Sequence, residues 1–183
     1  MPPVITHHLA PLTTAFTTHS GRIYIGVVLG FVLMLYLLRR SLLSLSIAAF
    51  PGTLLHELAH FIVGLLLFGR PSGFSVIPRR TTHGYALGSV RFANVRWYNG
   101  CFIGLAPLLL LPLALWLLAW RMHGLQALHV HEIAWAYLLA TLIYAALPSW
   151  PDIKIAATSA WLLLFVLGIC WIMTDQGFRV AKL

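Results

Sequence analysis

Two histidines and a glutamate, His56, Glu57 and His60, sit inside the apolar stretch FPGTLLHELAHFIVGLLLFG at residues 50–69. Polar groups in such a run are costly unless they have a task or a partner. On a helix, residues four apart lie one turn apart on the same face. His56 and His60 can therefore aim two imidazole nitrogens at one metal ion. Glu57, one step round the helix, can stand beside that ion without ligating it and take a proton from an attacking water. That is the physical content of the H-E-x-x-H pattern. The ordinary alternative is a histidine pair hydrogen-bonded to neighbouring helices. The chain holds only two glutamates, and one of them occupies the middle of the motif.

A catalytic zinc site wants three protein ligands and an open position. The search for the third is short, because Glu57, Glu132, Asp152 and Asp175 are all the carboxylates there are. His60 is eight residues from Phe68, which puts it about 12 Å inside that end of its helix. A partner must reach the same depth. Asp152 follows LPSWP, where Pro148 and Pro151 break any helix, and non-helical backbone at depth is tolerated where it lines a cavity. Asp152 is the favoured third ligand, with Glu132 as the alternative. Asp152 is also placed to cap the helix that begins at IKIAATSAW.

These groups need elements to hold them. Of 183 residues, 60% are hydrophobic and only 9% charged. Soluble domains carry about 25% charged residues, so the bilayer is the expected solvent. About 20 apolar residues are needed to span it as a helix. Five spans are expected: Ile23–Leu38, Leu42–Phe68, Phe102–Trp120, Ile133–Leu147 and Ile153–Met173. A short surface helix over 41–50 is expected to lead into the second, with Pro51 in the first turn of the motif helix. Pro107 and Pro112 are expected to bend the third. Between the second and third spans, FSVI and YALGSVRF flank PRRTTHG and read as two strands about a turn. The expected fold is thus an all-α polytopic membrane protein with about five transmembrane helices and a short membrane-associated β-hairpin. It is expected to form one unit over 1–183: a polar segment at 1–21, two spans at 22–68, the hairpin at 69–98 and three spans at 99–174. The segment at 1–21 lacks the pattern of a cleaved leader.

The net charge of +8 does not imply nucleic acid, because the cations are scattered between apolar runs rather than gathered on one face. Counting Lys and Arg by side sets Arg22, Arg70, Arg79, Arg80, Arg91, Arg96 and Lys154 against Arg39, Arg40, Arg121, Arg179 and Lys182. Arg79 and Arg80 face lipid phosphates in the simplest reading. Cys101 and Cys170 are expected as buried thiols on opposite faces, unbonded to each other. His7, His8 and His19 near the start, and His123, His129 and His131 in the third connection, read as interfacial groups.

The order of motifs over roughly 50–165 resembles the site-2 protease family of intramembrane zinc metalloproteases. It consists of HELAH in a span, a loop with strand character, and a proline-flanked Asp at a helix break. Ile153 stands where that family has a glycine. The resemblance implies His56, His60 and Asp152 as zinc ligands and Glu57 as general base. It also implies that an extended substrate, a transmembrane segment of another membrane protein, is held along a hairpin such as 73–92. A multi-pass location in a bacterial or archaeal cell membrane goes with it. Asn94, Asn99 and His83 are candidates to stabilise the developing oxyanion. Two other readings stand beside it: a membrane zinc carrier, channel or non-catalytic binding protein, and an integral-membrane metalloprotease of another family with Glu132 as third ligand.

Overall fold

A computed structural model describes residues 16–81, 84–124 and 129–180. His7, His8, His83, Lys182 and the turn at 82–83 lie outside the described residues, as do the side chains of His123, Asp175 and Arg179. The described chain is mostly helical, with a small antiparallel sheet between its third and fourth helices.

Helix α1 (His19–Leu38) is capped by Thr18, whose hydroxyl accepts from Gly21 N at 3.1 Å. Twenty residues make it about 30 Å long. Among the described residues it is the one helix long and apolar enough to cross a membrane unaided. After the Arg39–Arg40 turn, Ser41 caps a short α2 (Leu42–Ala48). The chain then bends by 75° into α3 (Phe50–Leu66), the HELAH helix, with Pro51 in its first turn. A proline costs nothing there because that N–H has no intrahelical acceptor. A short helix is therefore present where one was expected over 41–50, one residue shorter at its N-terminal end and two at its C-terminal end.

The expected third span is interrupted. Helix α4 (Gly100–Gly104) passes through a 3-10 turn at Ala106–Leu109 into α5 (Leu110–Gly124). The break lies at Pro107. Pro112 does not break the chain, because it falls in the first turn of α5, where the N–H it lacks would be unused. Helix α6 (Val130–Ala145) bends by 50° into α7 (Trp150–Ala157) across Pro148. The expected continuous fifth span is broken as well, at Thr158–Ser159, before α8 (Ala160–Val180). There the Thr158 hydroxyl donates back to Ile155 O at 2.7 Å, and the Ser159 hydroxyl accepts from Cys101 N. Side-chain bonds of this kind compete with helix continuation. If each bent pair counts as one span, three spans meet the length and composition required.

The hairpin is built as two short ladders. Strand β1 (Pro71–Ser75) pairs with β4 (Ser89–Phe92), and β2 (Arg79–Thr81) pairs with β3 (Gly84–Ala86). The hairpin lies along α3. Phe92 fills the notch at Gly64, Phe74 meets Phe61 edge-on, and Gly88 lies against Glu57. Farther on, Leu87 joins Leu35, Leu45 and Ala49, and Arg80 shares a depression with Arg40. Arg80 on β2 therefore gathers with Arg40, not opposite it. Arg121, for its part, packs beside the Tyr24–Met122–Ala136 cluster, near the Arg22 end of α1. These placements overturn the count of charges by side, which assumed that every residue of a connection stays on one face.

The main core joins Tyr24 and Val28 of α1, Leu110 and Ala114 of α5, and Ala136, Leu139 and Ala140 of α6. Alanines on α6 let the backbones approach, the device by which helices associate where no water drives them together. Outward faces carry exposed Leu29, Leu33 and Leu37 on α1, Leu58 and Ile62 on α3, and Leu164 and Phe165 on α8. Cys101 is buried, but Cys170 is exposed on α8, contrary to expectation. Exposed Leu164, Phe165, Leu167, Ile169 and Trp171 show that this stretch of α8 offers little cover.

Glu132 is 3% exposed and takes up a bidentate contact with Arg121, Nε to Oε2 at 3.2 Å and Nη2 to Oε1, while His131 Nε2 stands 2.9 Å from Oε1. Removing one member of a buried pair costs about 3–5 kcal/mol, because the other is stranded. We expect Arg121→Met to lower the midpoint of thermal unfolding in detergent, followed by helical circular dichroism. The double variant Arg121→Met/Glu132→Gln should recover most of the loss. A single variant as stable as the double would show that the pair is not coupled.

Candidate metal centre

On α3, His56 and His60 project from one face, and each is fixed through its second ring nitrogen. His56 Nδ1–H donates to Ala145 O at 2.6 Å, and His60 Nδ1–H donates to Ile103 O at 2.7 Å. A carbonyl can only accept, so both protons sit on Nδ1 and both Nε2 atoms present lone pairs. The two carbonyls are available for physical reasons. Ile103 O would normally bond the N–H four residues on, but that residue is Pro107, which has none. Ala145 ends α6, and the N–H of Ser149, four residues on, is taken by Asp152.

Asp152 is oriented by a capping box. Ser149 is the N-cap, and Asp152 is the third helical residue of α7, so Ser149 takes the capping position expected of Asp152. Ser149 donates twice to Oδ2, from N at 2.7 Å and from Oγ at 2.6 Å. Oδ1 then faces His60 Nε2 at 3.1 Å, and Oδ2 stands 3.3 Å from His56 Nε2. The two Nε2 atoms are 3.2 Å apart. Helix α7 is held close by glycine: a Cβ at Gly104 would strike the backbone of Asp152 and Ala156.

This is a cluster of acceptors facing acceptors. One proton on an imidazole would relieve one pair; a divalent cation among the three groups relieves all of them. The separations of 3.1–3.3 Å match the ligand–ligand edge of a tetrahedron with metal–ligand bonds near 2.0–2.1 Å, about 3.3 Å. His56, His60 and Asp152 can therefore hold a metal ion, with one ligand atom from each within 4.8 Å of the others. Both histidines have the anchored second nitrogen usual for metal ligands. His60, Glu57 and Asp152 are 3%, 6% and 8% exposed, so the group is nearly closed off.

Glu57 stands off this triangle, with its carboxylate against Gly88, between β3 and β4. A cavity of about 530 Å³ opens beside it. Its lining brings Thr53, the metal triad and Glu57 together with residues 86–90 and with Tyr144, Leu147, Trp150 and Ile155. A methyl built on Gly88 would lie 2.6 Å from Glu57 Oε1 and Cγ. The group forced to move would be the flexible end of Glu57, not the backbone. Gly88→Ala is therefore expected to keep stability and bound metal while displacing the Glu57 carboxylate, read from metal content beside a structure of the variant. An unmoved carboxylate in that variant would mean that the strand yields instead.

Other candidates are engaged elsewhere. Glu132 opens α6, thirteen residues and about 20 Å along the helix from the Ala145 carbonyl that holds His56; paired with Arg121, it does not join the triad. Asn94 and Asn99 close the C-terminal turn of α3: Nδ2 of Asn94 donates to Phe68 O at 2.8 Å, and that of Asn99 to Leu67 O at 3.2 Å and Asn94 O at 3.0 Å. That turn needs support, because Phe68 and Arg70 adopt φ of 56° and 51°, a conformation costing side-chain-bearing residues roughly 1–2 kcal/mol. Both asparagines are structural, not poised over the cavity. His129 and His131 stack on each other, away from the triad. Two contributors went unforeseen. Ser149 was signalled by the S-x-x-D spacing of a capping box, and Pro107 by standing four residues after the carbonyl it releases.

Comparisons with protein-family models, with curated proteins and with solved structures return no match.

Proposed function

We propose that this chain is an intramembrane zinc metalloendopeptidase that hydrolyses peptide bonds in or near transmembrane segments of other membrane proteins. The observation that carries it is the convergence of His56, His60 and Asp152, each pre-oriented through its second polar atom, beside a buried carboxylate that ligates nothing. Structural sites have no use for such a bystander; a hydrolase needs one. A zinc carrier would leave Glu57 without a task.

When bound, zinc supplies Lewis acidity toward water and the scissile carbonyl. The chain supplies the rest. Ala145 O and Ile103 O keep both imidazoles in the tautomer whose Nε2 can ligate, and Ser149 keeps the carboxylate of Asp152 turned inward. Glu57 accepts the proton of the attacking water and delivers it to the departing amine nitrogen. The residues 86–90 offer an extended edge along the cavity. Leu87 and Gly88 fall between the two ladders, so a substrate unwound from its helix can pair with them. Multi-pass insertion, with α5 and α8 crossing beside the three candidate spans, fits the apolar outer faces.

The test is removal of the metal. Protein reconstituted with a membrane-span substrate should carry one zinc per chain. It should lose cleavage on treatment with 1,10-phenanthroline and regain it when zinc is returned. Cleavage that persists after the metal has gone would end the proposal.

A further inference from the structure

Of the described residues that line the cavity beside the metal centre, Glu57, Asp152 and Lys154 carry the charge. The first two have tasks in the proposed hydrolysis; Lys154 has none. We propose that Lys154 and Trp150 form a specificity subsite that receives an acidic side chain of an extended substrate, a few residues from the scissile bond. Its effect on cleavage rests on the peptidase reading; the recognition of an acidic segment does not.

Helix α7 sets the geometry. Asp152 turns inward to His56 and His60. Trp150 and Lys154 are four residues apart on the same helix, one turn along a shared flank, and Lys154 Nζ lies 5.8 Å from the centroid of the Trp150 ring. Both are exposed and both border the cavity, so they belong to its rim. The electron-rich face of an indole attracts an ammonium without neutralising it. A long side chain held in this way beforehand loses less freedom when a ligand arrives.

The balance of charge gives the sign of the preference. A divalent ion on the triad is matched by two carboxylates, Asp152 and Glu57, which leaves the ammonium of Lys154 in excess. Much of the remaining wall is apolar, with Leu87, Phe92, Leu147 and Ile155, and a charge beside such a wall is screened less than in open water. A carboxylate on the substrate is drawn to this rim, and a basic residue is turned away. Repulsion of the wrong residue discriminates as well as attraction of the right one.

Reach places the acidic residue along the substrate. Asp152 and Lys154 are two residues apart on α7, a rise of about 3 Å. The lysine stem then carries its ammonium to a distance on the order of 10 Å from the ion. An extended chain covers that distance in about three residues, at roughly 3.3 Å each. A lysine can serve lipid headgroups from any outward position; on the rim of this cavity it stands where an unwound segment has to pass.

Binding and cleavage are tested separately. Zinc-loaded Glu57→Gln in phosphatidylcholine nanodiscs, which bear no net charge, is titrated with a fluorescent membrane-span peptide carrying one Asp, walked residue by residue across its centre, and with the matching Asn peptides. At one position the Asp peptide should bind about fivefold or more tightly than its Asn counterpart, a modest ratio because the rim is exposed. Adding Lys154→Gln should erase the difference, Lys154→Glu should favour a Lys peptide at that position, and Arg22→Gln should change nothing. With active protein, kcat/KM should follow the same order, the favoured Asp lying within about four residues of the cleaved bond. Equal binding of Asp and Asn peptides at every position, or a preference that survives Lys154→Gln, would overturn the subsite. So would a Lys154→Gln defect seen only in anionic bilayers and equally for every peptide, which would give the lysine to lipid headgroups. Selective binding without any cleavage by wild type would refute the peptidase reading and leave the recognition standing.

Discussion

Glu57→Gln is expected to retain its zinc and to lose about 10²–10⁴-fold in turnover, the range that a positioned general acid–base contributes. Gln keeps the shape and volume of the side chain and removes only its ability to take a proton. The zinc should stay because Glu57 is outside the His56–His60–Asp152 triangle, its carboxylate turned to Gly88. Substrate binding should stay too, since the cavity lining is otherwise unchanged. The loss should therefore appear in kcat, with KM held, the signature of an interaction made only in the transition state. Metal content measured beside both constants distinguishes this from simple damage. Turnover equal to wild type would remove the peptidase mechanism, and zinc lost with activity would make Glu57 a ligand instead.

What the sequence revealed and what it hid follow from the range of the interactions. The pairing of His56 with His60 is a matter of helical pitch, and the bend before Pro51 is a matter of one missing N–H. Both are local, and both are found in the structure. Asp152 was reachable because a chain with four carboxylates leaves few candidates. The carbonyls of Ile103 and Ala145 were not reachable, because which helix end meets which imidazole is decided by packing between segments 43 and 89 residues apart. The same holds for Asn94 and Asn99, whose amides looked like chemistry and instead tie down a strained turn. Hydropathy blurred the break at Thr158–Ser159, since one serine engaging Cys101 N hardly alters an apolar window. It also could not say that the hairpin would fold back along α3 and carry Arg80 to Arg40.

Asp152→Ala should nearly abolish metal binding, and the graded response of its neighbourhood is the sharper test. Disturbing an outer partner of a metal ligand typically costs about 10–100-fold in affinity. Ser149→Ala removes one of the two bonds that fix Oδ2 and should fall in that range. Asp152→Asn should do worse, because its amide oxygen can still accept from Ser149 but brings no charge to the ion. Asp152→Ala should be worst, losing the ligand and the capping partner of α7 together. Competition with a calibrated chelator gives the affinities, and the visible spectrum of the cobalt-substituted protein reports ligand number independently of stability. The capping role alone predicts a different order. Loss of an N-cap costs about 1 kcal/mol of stability, so Ser149→Ala would then unfold early with its cobalt spectrum unchanged. Metal bound to Asp152→Ala as tightly as to wild type would mean that the acid contributes only the cap.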